Sequence, residues 1–257
     1  MAGQPVQVLA VVGSLNPTSV TRTVILHAAE RLRSDGCSVD VLDLEKDSLP
    51  LYNPDTAYDA PGFDQLQGRV ERADVYVLGT PDYHGSISSA MKNFLDHFWR
   101  EFAGKLFATI VASHEKGLTV TDQLRTVARQ CYAWTLPYGV SFADEEDVRD
   151  GQVSSEALRK RLEMFVRDVR TYGALLARQR RADLEGAEPC PGAAGELLAA
   201  EWNHFSFDQK GYRVMGGQRG LKSAATNHKD TLYIRAPQRR LTGANGENGN
   251  RKTGRSG

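Results

Sequence analysis

Up to about residue 180, apolar positions follow two alternating rhythms, short near-continuous runs and longer stretches at helical spacing. The runs at 6–12, 39–44, 75–79 and 106–112 are rich in valine, leucine and isoleucine, the pattern of parallel strands buried on both faces. Between the first two, Val20, Val24, Ile25, Ala28, Ala29 and Leu32 recur at helical spacing, and Ser34-Asp35-Gly36 supplies a stop. Further helices are predicted over 63–73, from a Ser88 cap with Met91, Phe94, Leu95 and Phe98 inward, and over 119–130 with Leu124, Val127 and Ala128 inward. The last spans 154–178, with Leu158, Leu162, Phe165, Val166, Val169, Leu175 and Leu176 inward. Residues 134–140 predict a fifth strand, and Pro137 within it suits a sheet edge. Residues 49–62 carry three prolines and predict an irregular surface loop. Asp144-Glu145-Glu146-Asp147 reads as a solvated acidic turn, not a metal site. Strand, helix and strand fit within about thirty residues, so the expected class is α/β with right-handed βαβ units and a parallel sheet.

Beyond residue 180 the pattern changes. Residues 187–192 read as a linker and 193–202 as a short helix, while 202–219 hold aromatic residues and a methionine that either clasp a neighbouring subunit or cover a pocket. From Pro237 onward the chain is rich in Gly, Asn, Arg and Lys, as expected of a disordered basic tail. The expected organisation is one domain over 1–180, a partly ordered extension over 181–236 and the tail over 237–257. A chain of 257 residues with 40% hydrophobic content is long enough for this. Charge narrows the partners: 32 basic residues balance 32 acidic ones, which points away from nucleic acid and anionic membranes and towards a small molecule. Cys37, Cys131 and Cys190 are too scattered for a disulfide framework or a thiolate metal site. The first residues lack a signal-peptide pattern, and no apolar run approaches the ~20 residues of a membrane span, so the cytoplasm is the expected location.

Candidate chemistry falls on three loops that follow strands. The first, residues 13–22, places hydroxyls at Ser14, Thr18, Ser19 and Thr21 around a helix start, where free amides and the helix dipole favour a phosphate. It carries neither the Gly-x-x-x-x-Gly-Lys-Ser/Thr nor the Gly-x-Gly-x-x-Gly pattern, so it suits one terminal phosphate; a turn whose hydroxyls only cap the helix is the competing reading. The second, residues 80–88, offers Tyr83 as an aromatic face and amides near His84 and Gly85 for the polar edge of a flat ring. Loop packing for Tyr83 and plain solvent exposure for His84 compete with that reading. The third is Ser113-His114-Glu115-Lys116-Gly117. The mixed stretch Asp96, His97, Trp99, Arg100 and Glu101 reads as a solvated face or a subunit interface.

Together, residues 6 to about 178 resemble the NADPH-dependent FMN reductase family of flavodoxin-like proteins. The resemblance rests on Gly13-Ser14, Ser19 and Arg22, on Pro81-Asp82-Tyr83-His84-Gly85-Ser86 followed by Lys92-Asn93-Phe94-Leu95-Asp96, and on Gln123-Leu124-Arg125. It implies a doubly wound five-stranded parallel sheet in the order 2-1-3-4-5 with a C-terminal extension. It also implies FMN at the carboxyl edge and a homodimer or homotetramer. Ser14, Asn16, Ser19, Thr21 and Arg22 would surround the phosphate, and Pro81, Asp82, Tyr83, His84, Gly85 and Ser86 the isoalloxazine ring. Ser113, His114 and the residues to Lys116 would form a secondary wall. The chain departs from the family at Asn16, where many relatives carry arginine, at His84, where asparagine is usual, and at residues 113–117, which replace a glycine-rich loop. The implied activity is transfer of electrons from NADPH or NADH through FMN to flavin, a quinone, an azo compound or another small acceptor. The flavin carries the chemistry, so no side chain is assigned a catalytic role. The rivals are a flavodoxin-type electron carrier, and a member of the fold turned into a binding module that works through its tail.

Overall fold

The computed structural model describes residues 4–185 and one short antiparallel pair, Ser206–Phe207 with Arg213–Val214. In chain order the elements are β1 (Gln7–Val12), α1 (Val20–Ser34), β2 (Ser38–Asp43), α2 (Phe63–Arg72), β3 (Val75–Tyr83), β4 (Ser86–Ile87), α3 (Ser89–Asp96) and β5 (Leu106–Ala112). There follow α4 (Leu118–Gln130), β6 (Trp134–Thr135), β7 (Val140–Phe142), α5 (Asp144–Asp147), β8 (Val148–Arg149), β9 (Gln152–Val153) and α6 (Glu156–Glu185).

The main sheet runs β2-β1-β3-β5, with β6 and β7 both parallel to β5 on its outer side. Counting β6 and β7 as one interrupted strand, this is the expected order 2-1-3-4-5. The interruption spans Leu136 to Gly139 and includes Pro137, which cannot donate to the ladder.

Alternation along each strand divides the core into two layers. Val8, Ala10, Val12, Val75, Val77, Leu106 and Ala108 face α1 and α6, whereas Leu9, Val11, Tyr76, Leu78 and Phe107 face α2, α3 and α4. Backbone approach is closest at Gly79: a Cβ there would lie 2.4 Å from Ile25 Cγ1 on α1, so only glycine lets the start of α1 sit against β3. The Gly13 amide donates to Gly79 O at 2.7 Å and ties the same point to the end of β1.

Several elements differ from the expected ones. β3 does not stop at Gly79; it continues through Pro81 to Tyr83 and folds back onto β4 as a hairpin. A second hairpin, β8–β9, turns at Asp150-Gly151, both at positive φ, with Val148 and Val153 buried beneath it. That Asp-Gly pair between Val-Arg and Gln-Val is the sequence signal for such a turn. The acidic stretch at 144–147 forms a single helical turn, and the Asp147 carboxylate accepts from the Ala143 amide at 2.9 Å. Helix α6 runs to Glu185, and its phase leaves Leu175 exposed while Gly173 and Ala177 are buried; a Cβ on Gly173 would meet Val75 and Val6. The irregular loop at 49–62 contains one 3-10 turn, Ala57–Asp59, and is pinned by Asn93, which accepts from the Tyr52 amide at 2.8 Å and donates to Pro50 O at 3.0 Å. His97 is buried beside Tyr52, Phe63 and Phe98 and belongs to the core, not to a solvated face.

Cys37 and Cys131 are free and buried, and burial pushes the Cys131 thiol up to about 12. Among the described residues no helix is long and apolar enough to cross a membrane. The linker, short helix and basic tail expected beyond residue 186, and Cys190, lie outside the described residues.

Candidate functional site

A parallel sheet gathers its loops at the carboxyl ends of the strands, and here three of them surround one cavity of about 300 Å³. Its lining is Ser14, Asn16, Thr18, Ser19, Val20 and Thr21 after β1, Pro81, Asp82 and Tyr83 from β3, and Ala112, Ser113 and His114 after β5. The cavity therefore sits where the chain leaves β1 on one side and β3 and β5 on the other.

The first loop is folded by its own polar groups. Asn16 Oδ1 accepts from both the amide and the hydroxyl of Thr18 at 3.0 Å, and Asn16 O accepts from the Ser19 amide at 3.1 Å. Asn16 thus shapes the loop in addition to lining the cavity. Ser19 is the N-cap of α1, yet its side chain makes no capping hydrogen bond. Among the described residues the first turn of α1 therefore has no side-chain acceptor from its own cap, which is where an anion would bind. This bears on the competing reading of a merely capped turn: the cap bond which that reading requires is not formed.

Two expected phosphate contacts take other roles. Arg22 does not line the cavity. Its guanidinium grips Asp43 at the end of β2 through two bonds of 2.7 and 2.9 Å, and its Nη1 donates to Asn16 O and Pro17 O at 2.6 and 2.7 Å. The hydrogen-bonded Arg22 holds the Asp43 carboxyl below the usual carboxylate range. Arg22 braces the loop from behind, with Nε and Nη2 on Asp43 and Nη1 on the two loop carbonyls. Thr21 touches the cavity, but its side chain is fully enclosed and its hydroxyl has no partner among the described residues.

The second loop is the β3–β4 hairpin. His84 and Gly85 occupy the turn with φ of 58° and 75°, the two-residue geometry that Gly favours at its second position. Asp82 Oδ1 accepts from the Gly85 amide at 2.8 Å and Oδ2 from the Ser113 hydroxyl at 2.9 Å, which joins the second loop to the third. The Gly85 amide is thereby spent inside the turn. Tyr83 is 54% exposed, so it is a ring at the mouth and not a packed core residue. His84, Gly85 and Ser86 lie outside the cavity lining, on the turn beyond it. Ser88 caps α3 by accepting from the Met91 amide at 3.1 Å and donates its hydroxyl to Gly13 O, locking this hairpin to the first loop. Among the described residues Asp82 is the one carboxylate in the lining, and no lysine or arginine lines it.

Sequence reasoning did not find Asp43 or the bracing role of Arg22, since nothing in the spacing of residues 22 and 43 announces a contact between the start of α1 and the end of β2. Thr18 lines the cavity as well and stood in the hydroxyl-rich stretch.

The doubly wound sheet with its cavity at the β1/β3 divergence defines a flavodoxin-like α/β protein. Residues 6–147, more than half of the chain, match the NADPH-dependent FMN reductase family, and the chain belongs to that family. An FMN-dependent NADPH-azoreductase of Staphylococcus haemolyticus is 26% identical over 178 residues, 64% of this chain and 93% of that protein. The NADPH-dependent FMN reductase ArsH of Shigella flexneri is 26% identical over 187 residues, 69% of this chain and 72% of that one. Among solved structures, the flavoenzyme NAD(P)H:(acceptor) oxidoreductase FerB from Paracoccus denitrificans superposes with a TM-score of 0.55 at 23% identity, covering 67% of this chain and 97% of FerB.

Proposed function

We propose that the protein is an NAD(P)H-dependent oxidoreductase that holds FMN in the cavity and passes electrons from the nicotinamide to a small acceptor of the flavin, quinone or azo class. The observation that carries this reading is that one cavity joins an anion seat, the uncapped start of α1, to a separate ring seat at the β3–β4 hairpin. Family membership and the named activities of the relatives support it.

When bound, FMN supplies the hydride and electron transfer, so the protein's task is to bind, orient and shield. Ser14, Ser19 and the first-turn amides of α1 receive the phosphate, while Asn16, Thr18 and the Arg22–Asp43 pair hold the loop that presents them. Pro81, Asp82 and Tyr83, with His84, Gly85 and Ser86 behind them, place the ring edge. Ser113 and His114 form the opposite wall. The same reading makes residues 1–180 the working domain, with 181–236 as its extension and 237–257 as a tail, and it carries a homodimer or homotetramer in the cytoplasm.

The test is an anaerobic visible spectrum of the FMN-reconstituted protein before and after NADPH, with NADH in parallel. Rapid loss of the oxidised-flavin band is expected. Bound flavin that stays oxidised would replace the enzyme by an electron carrier, and absence of bound flavin would overturn the cofactor assignment.

A further inference from the structure

The β3–β4 hairpin projects beyond the sheet, and two main-strand pairs, Asp82 with Ile87 and Tyr83 with Ser86, do not stabilise an isolated turn. A second element must hold it. Gln123, half-buried on the inward side of α4, reaches across and makes three contacts with it. Its Oε1 accepts from the Ser86 hydroxyl and from the Ile87 amide, both at 3.1 Å, and its Nε2 donates to Gly85 O at 3.4 Å. The Ile87 amide can only donate, so the oxygen of the Gln123 amide must face it, and the nitrogen is thereby turned towards Gly85 O. One side chain reads three consecutive residues of the turn. On the other flank, Asp82 is held by the Ser113 hydroxyl.

We propose that Gln123 is a positioning residue for the flavin ring: it fixes the height and tilt of the Tyr83–Ser86 turn from α4, without touching the cofactor. This rests on the reading of the cavity as an FMN site. Gln123 does not line that cavity. Because the turn serves the ring and the α1 loop serves the phosphate, Gln123 acts on one end of the ligand only. Loss of its contacts therefore weakens riboflavin and FMN by the same factor and leaves the affinity increment from the phosphate intact.

The experiment uses the full chain, with fluorescence titrations of FMN and riboflavin, the visible spectrum of the bound flavin, and amide exchange of residues 83–88 in the ligand-free protein. Gln123→Leu removes all three contacts, and Gln123→Glu keeps the two acceptor contacts while losing the donation to Gly85 O. For Gln123→Leu we expect Kd for both flavins to rise on the order of tenfold, an unchanged riboflavin-to-FMN ratio, a shifted flavin band and faster exchange at Ile87. Gln123→Glu is expected to recover most of the exchange protection and of the wild-type band. Wild-type Kd, spectrum and exchange in Gln123→Leu would overturn the role of Gln123 while leaving the FMN site standing. A collapse of the riboflavin-to-FMN ratio would also overturn it, since the damage would then extend to the phosphate seat. If the wild-type chain binds neither flavin, the cofactor reading itself fails, and the ring role of Gln123 fails with it.

Discussion

Arg22 shows how one residue changes role once its neighbours are known. A cation beside a phosphate loop suggests a direct ion pair, but this one spends its fork on Asp43 and its Nη1 on two loop carbonyls. Arg22→Met should therefore loosen the loop and raise Kd for FMN roughly tenfold, about 1.4 kcal/mol, while Arg22→Lys recovers only part because a point charge cannot replace the fork. A cycle with Asp43→Asn, read by flavin titration, should be strongly non-additive; additive losses would return Arg22 to the phosphate. Lys105 offers a residue-scale prediction at the opposite end of the sheet. It is buried, and its Nζ donates to Val70 O at 3.2 Å, Glu71 O at 2.8 Å and the Tyr76 hydroxyl at 3.1 Å. Burial pulls its pKa down to about 7. The unfolded chain then holds a proton that the folded one has lost between pH about 7 and about 10.4. Wild-type stability should rise with pH across that window, by at most about 1.4 kcal/mol per pH unit, and Lys105→Met should lack the rise when urea unfolding is compared at several pH values.

At the scale of elements, the site depends on how closely α1 approaches β3. Gly79→Ala would drive a methyl group into Ile25, and overpacking of this kind costs about 1–3 kcal/mol. The melting temperature should fall by about 2–4 °C for each kcal/mol lost, and FMN binding should weaken with it, because the start of α1 is the phosphate seat. A wild-type melting temperature would mean that the helix yields freely. The tie from β2 to the loop is sensitive to acid. The Asp43 pKa is lowered when folded, so its contribution is present above the unfolded value of about 3.9 and is lost as pH falls through the lower folded value. Amide protection of the Asn16–Ser19 loop should hold at pH about 5 and be lost only as pH falls through the lowered folded value, beneath the unfolded value of about 3.9, whereas Asp43→Asn should show the loss throughout.

For the whole molecule, charge balance and site composition point the same way. The net charge is zero, and among the described residues no lysine or arginine lines the cavity. FMN affinity should then change by less than about threefold between roughly 0.05 and 0.5 M salt, since no exposed cation in the lining is available to be screened. A steep salt dependence would show that basic residues from outside the lining reach the phosphate.

Much of this was legible in order along the chain. β1, β2, β3 and β5 announced themselves as apolar runs, and α1 to α4 as stripes at helical spacing, because burial on both faces or on one is written directly into residue type. Hydroxyls at Ser14, Thr18 and Ser19, and Pro81-Asp82-Tyr83, marked two walls of the cavity for the same reason: their chemistry is local. The extent of β3, the break between β6 and β7 and the exposure of Leu175 were not legible, since they depend on which partner each segment meets. The sequence by itself determined the alternating elements, their layering about a parallel sheet and the polar loops at its carboxyl edge. Only the tertiary structure decided that Arg22 serves Asp43, that Thr21 is enclosed, and that Gln123 holds a turn 36 to 38 residues away in sequence. The physical reason is that periodicity records which face of an element is buried, whereas a hydrogen bond between distant elements depends on their relative placement, which no local pattern encodes.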